Sequence, residues 1–86
     1  MTLRIETATV QGRTIVRLIG RVRSECLPDL ETQIQAAEAR LALDLDEVTL
    51  VDVGVVRFLV VCEESGIELL HCSPYIRRWM TRERPT

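Results

Sequence analysis

Lysine is absent from this 86-residue chain; all eleven basic residues are arginine. Codon usage alone produces such a bias, so it excludes no class of function. No apolar stretch approaches the ~20 residues that a bilayer-crossing helix needs. The opening segment MTLRIETATV also lacks the apolar core of a secretion signal. A cytoplasmic location without membrane insertion is therefore expected. Histidine occurs once, at His71, and cysteine three times, at Cys26, Cys62 and Cys72. An odd number at irregular spacing speaks against a disulfide framework and for reduced, mostly buried thiols. A net charge of −2 gives no general attraction to nucleic acid. No glycine-rich phosphate loop, catalytic carboxylate pair or nucleophile–base couple is recognisable. Neither an enzyme nor a cofactor is expected.

What is present is ordinary globular composition, 47% hydrophobic and 28% charged. A single domain of this length buries only about 60% of its unfolded surface, so modest stability is expected. Residues 3–10 alternate in polarity, Gln11-Gly12 reads as a turn, and Thr14 to Ile19 reads as a second strand ended by Gly20. Arg21 to Cys26 reads as a polar loop. Leu27, Leu30, Ile34, Ala37 and Leu41 have helical spacing, with Pro28 in the first turn. Leu41 to Leu45 is near-continuously apolar, as in a central strand covered on both faces. A loop at Asp46-Glu47 then leads to a buried run, Val48–Val51. Val53 to Glu64 reads as a largely buried helix closed by Gly66. Ile67 to Cys72 reads as the last strand. Ser73-Pro74 starts a last helix, with Tyr75, Ile76, Trp79 and Met80 inward and Arg77, Arg78, Arg82 and Arg84 in water. Alternation of this kind predicts an α/β sandwich on a mixed, mainly parallel four-stranded sheet, β-β-α-β-α-β-α, in one domain over 1–86.

The stretch LALDLDEVTLVDVGVVRFL, Leu41 to Leu59, resembles the signature of the STAS domain, the family of anti-sigma-factor antagonists and sulphate-transporter tails. Asp44, Val48, Thr49 and Asp52 fall in register with it, and the resemblance runs from the first hairpin to the last helix. It implies a STAS-like fold and a bacterial signalling protein that regulates transcription through protein–protein interaction. Family members carry a phosphorylatable serine pair and then a glycine where this chain has Val53, Gly54 and Val55. That phosphosite is degenerate here, and switching by it is not expected. Where many members read an acid after the glycine at position 20, this chain has Arg21-Val22-Arg23.

Four candidates follow. Asp52 is expected to cap the helix that starts at Val53 rather than to catalyse. Arg21 and Arg23 are candidates for an anion, against the plainer readings of solvated side chains or pairs with Glu25 or Asp46. In an open α/β sheet their loop and Asp46–Asp52 are expected to lie together beyond the strand ends. Cys62 with His71-Cys72 lacks the spacing and the fourth ligand of a zinc site, so no metal is expected. The arginine-rich last helix reads as a solvated face. The expected partner surface is Arg21, Arg23, Ser24, Asp46, Asp52, Val53, Gly54 and Arg57, with Ser24 or Thr49 as a residual phosphosite and Thr49 disfavoured by burial. The partner is a kinase-like anti-sigma factor or, alternatively, a membrane transporter that uses the domain as an accessory subunit. A small-anion or ligand sensor is a third reading, and a homodimer is left open.

Overall fold

Gln11 and Gly12 both take positive φ, 52° and 75°, the left-handed pair that a tight two-residue hairpin turn needs. They join β1 (Leu3–Val10) to β2 (Arg13–Val22), antiparallel and in unbroken register from Leu3↔Gly20 to Val10↔Arg13. The computed structural model describes residues 3–36 and 40–84. A 3-10 turn at Ser24–Cys26 leads into α1 (Leu27–Ala36), followed by β3 (Arg40–Val51) and α2 (Val53–Glu64). Then come β4 (Glu68–Leu70) and α3 (Pro74–Glu83). The sheet runs β1-β2-β3-β4, with β2, β3 and β4 parallel. The fold is α/β with a mixed four-stranded sheet and three helices. None of the helices among the described residues is long and apolar enough to cross a membrane.

Local chemistry sets the helix limits. Ser73 caps α3, its Oγ accepting the Ile76 N–H at 3.3 Å, with Pro74 in the first position. Gly66, at φ 96°, takes the chain out of α2. Leu27 opens α1 and Leu30 is its buried residue. Ala37 lies outside the described residues, and Leu41, which continues the same spacing, belongs to β3.

Only one face of the sheet meets the helices. Leu3, Ile5, Val16, Leu18, Leu43, Leu45 and Leu69 point to that side and share one core with Leu30, Val55, Val56, Leu59, Ile76 and Met80. The other face carries ion pairs: Arg4–Glu6 at 2.9 Å, Arg17 to Glu6 and Glu47, and Arg13 to Glu68. The expectation of a central strand covered by helices on both sides is therefore corrected. Leu41–Leu45 does alternate: the leucines point in, while Ala42 and Asp44 lie on the ion-pair face. Alanine is small enough to be buried there between its registered neighbours Ile15 and Glu68, which is why the run looks continuous.

Other boundaries shift for identifiable reasons. Gly20 does not end β2; at φ 100° it sits at a register shift, and the strand continues through Arg21 and Val22. Asp46-Glu47 is no loop but part of β3, where an extra residue between Asp44 and Glu47 makes a bulge. The Asp44 carboxylate accepts the Asp46 N–H there at 3.0 Å. A second extra residue follows Val48, and Thr49 and Leu50 are exposed, not buried. β4 is only three residues long because His71 takes φ 56° and leaves the ladder. Val61 on α2 is 59% exposed, and Tyr75, expected inward, is 53% exposed. The Tyr75 ring leans on Trp79 at a centroid distance of 5.9 Å. Arg77 and Arg84 do not simply face water: both are half-buried on Glu63, Arg77 Nη1 donating at 2.9 and 2.7 Å. The Arg77 and Arg84 guanidiniums hold the Glu63 carboxyl below its usual range.

α3 is thus fastened by two apolar anchors and one shared carboxylate. Met80→Ala is expected to cost about 2–5 kcal/mol, a large share of what a domain this small possesses. Glu63→Gln, in a partly exposed cluster, is expected to cost no more than about 1 kcal/mol. Urea denaturation of both variants checks this order; Glu63→Gln as the costlier change would contradict it.

Candidate functional site

The carboxyl ends of β2 and β3 bring two loops together, and Asp52 ties them. Asp52 is extended (φ −111°, ψ 177°) and caps α2, as the sequence predicts: its Oδ1 accepts the Val55 N–H at 3.0 Å. The same oxygen accepts the Ser24 hydroxyl at 2.8 Å, and Oδ2 accepts the Ser24 N–H at 2.9 Å. Partial burial pushes this carboxyl up. The donors from Ser24, Val55 and Gly54 outweigh that and hold it below its usual range.

Gly54 completes the junction. A Cβ there would stand 2.2 Å from Ser24 Oγ and 3.3 Å from Ser24 Cβ. The Ser24 hydroxyl fills the space that a side chain at position 54 would need. Glycine at this point answers a close approach between loops. Nothing in the linear sequence signals that contact, because its partner lies thirty residues upstream.

The remaining expected site residues separate into groups. Val53, first in α2, is 41% exposed. Arg57 lies one helical turn on, its Nε donating to Glu83 Oε1 at 2.9 Å. Val61 follows after another turn, so Val53, Arg57 and Val61 line the outward side of α2. Val61 was missed because seven other apolar residues crowd its helix and mask the exposed stripe. Arg21 and Arg23 are exposed at the end of β2 and form no ion pair among the described residues, with Glu25, Asp46 or any other acid. Arg21 registers beside the exposed Leu50 of β3. The start of α2 offers an anion little: the Asp52 carboxylate already sits on its first N–H groups.

Asp46 is not part of this junction. It lies six residues before Asp52 on β3, roughly 20 Å away along the strand. It belongs instead with Asp44 and His71. The His71 Nδ1–H donates to Asp44 Oδ1 at 3.0 Å across the end of β4. That bond and the Asp44 charge raise the imidazole above its ordinary value. Partial burial pushes Asp44 up, but the Asp46 N–H, His71 and Arg17 together hold it below its usual range. Cys62 is buried, and burial with the Glu31 charge pushes its thiol up to about 11. Burial also raises the half-buried Cys72. No group of three or more histidine, cysteine or acidic side chains among the described residues is placed to hold a metal.

Two outcomes are expected. Replacing a helix glycine by alanine ordinarily gains up to about 1 kcal/mol. Gly54→Ala is expected instead to destabilise by about 1–2 kcal/mol, because the Ser24 hydroxyl loses Asp52. In a Ser24→Gly background the same change should turn neutral or favourable, and thermal melts of this double-mutant cycle read the difference. By NMR, His71 should titrate above ~6.5, and Asp44→Asn should bring it down towards that value. Because the folded value is raised, the stability contributed by this pair is complete below ~6.5 and fades as pH rises through the folded value.

No protein-family model matches the chain, and no curated protein matches it.

Proposed function

We propose that the chain is a docking module of the STAS type that acts by binding another protein and not by catalysis. The observation that carries this reading is the outward stripe of α2. Val53 and Val61 are 41% and 59% exposed and flank Arg57 one turn to either side. Apolar side chains two turns apart (i and i+8) on one helix face, with the aliphatic stem of an arginine between them, gain most when a partner surface covers them together. Arg21 and Arg23, which no acid among the described residues neutralises, add charge at the neighbouring strand end and favour a partner with acidic groups. The order β-β-α-β-α-β-α, entered by a hairpin and with a helix capped by aspartate after β3, supports the STAS assignment.

In this reading the module is a regulator of the anti-sigma-antagonist type whose binding is constitutive. Val53 and Gly54 offer no hydroxyl to a kinase. The Ser24 hydroxyl is engaged by Asp52, and a phosphate there would set its charge against that carboxylate.

The test is recovery of a partner from the native host with the immobilised chain. Val53→Glu and Val61→Glu should each reduce recovery of the same protein at least about ten-fold, a charge being placed in an apolar contact. Val10→Glu, at an equally exposed valine on the hairpin, should leave recovery unchanged. Gly54→Glu is unsuitable, because it would break the Ser24–Asp52 junction first. Equal recovery with all baits would move the docking surface away from α2.

A further inference from the structure

The sheet protects its open backbone unevenly. β4 is three residues long, and the part of β3 beyond it carries two bulges. Short and bulged strands are poor templates for another strand. β1 has neither safeguard. It runs for eight residues with no proline and no break in register, and among the described residues it has a strand neighbour on one side only. Its outer row of N–H and C=O groups is a regular ladder half.

The charges on β1 do not guard it either. Arg4 and Glu6 are its only charged residues; they point to the same face and pair at 2.9 Å, with side chains 75% and 40% exposed. Opposite charges two residues apart are self-complementary about the residue between them. If a second copy lies antiparallel with Ile5 opposite Ile5, Arg4 of each copy faces Glu6 of the other. Centring on Arg4 or on Glu6 would set like charges against each other.

We propose that two copies of this chain pair through β1, antiparallel about Ile5, into a continuous eight-stranded sheet with a two-fold axis. The pairing leaves both helix layers on the same side. It adds a ladder of backbone hydrogen bonds and two Arg4–Glu6 cross-strand pairs. The surface is distinct from the outward side of α2, so the inference stands apart from the docking proposal.

Sedimentation velocity over a dilution series of the full chain tests it. The wild type should show a concentration-dependent monomer–dimer equilibrium. Arg4→Glu and Glu6→Arg should each raise the dimer dissociation constant at least about ten-fold, because two symmetric contacts turn repulsive. An equimolar mixture of these two variants should recover the dimer, since each acidic strand then meets a basic one. Circular dichroism confirms that each variant is folded. Should Glu6→Arg unfold beside Arg17, loss of the dimer in Arg4→Glu alone decides. Oxidation of Ile5→Cys should give a covalent dimer linked at position 5 by mass mapping, and Thr7→Cys should not link to itself. A wild type that stays monomeric, a dimer indifferent to both charge reversals, or a self-link at position 7 would overturn the proposal.

Discussion

One carboxylate holds the strand ends of this fold in place. Asp52 caps α2 and at the same time receives both donors of Ser24. Each bond alone is ordinary: a cap contributes ~1 kcal/mol and a hydrogen bond about the same. Their effect is positional. β2 and β3 run parallel, so the segments leaving them would otherwise be free to splay before α1 and α2 begin. Two oxygens of one side chain set the distance between those segments, and Gly54 lets the backbones approach closely enough for it. The core residues Val22 and Val51, register partners just before the two loops, are buried beneath this tie.

The second constraint is the division of the sheet into an apolar face and an ionic one. Three helices on one side leave the other to be covered by its own long side chains. Arg17 does most of this, reaching Glu6 on β1 and Glu47 on β3. Such partly exposed pairs contribute little energy each. Arg17 stands between Ile15 and Ile19 on this face of β2, and both isoleucines are half-buried. The same economy explains why the strand edges differ. Where β3 must accommodate extra residues it bulges and is blunted, whereas β1 has only β2 to match and stays regular.

Local signals made much of this legible in the sequence. Ser73-Pro74, Gly66 and Asp52 act through neighbours three or four residues away, and each boundary they imply is where the structure has it. The hairpin followed from periodicity, and α2 from its aspartate cap, its apolar run and Gly66. What the sequence could not disclose depends on partners far along the chain. The strand at Leu41–Leu45 looked covered on both sides because Ala42 is apolar on either reading; only its register against Ile15 and Glu68 places it on the ionic face. Glycine at 20 is an end or a bulge depending on what β3 does beside it. Val61 could not be told from its buried neighbours by hydrophobicity, since the difference is one of angle around the helix. Arg77 and Arg84 looked solvated until α2 brought Glu63 beneath them.

In the proposed docking, the junction at the start of α2 decides what a partner could use. Hydroxyl, carboxylate and first-turn N–H groups already satisfy one another there, so a partner that approached them would have to break bonds to make bonds. That exchange yields close to nothing in net free energy. In the proposed docking, contact energy comes from just outside the junction, where burial of Val53 and Val61 releases ordered water and where the guanidiniums of Arg21 and Arg23 meet no acid among the described residues. Position 54 is closed to any side chain as long as Ser24 keeps its place, so the glycine and the serine form one unit. A docking surface of this proposed kind would gain specificity from shape and apolar fit. Its polar centre serves to keep that shape.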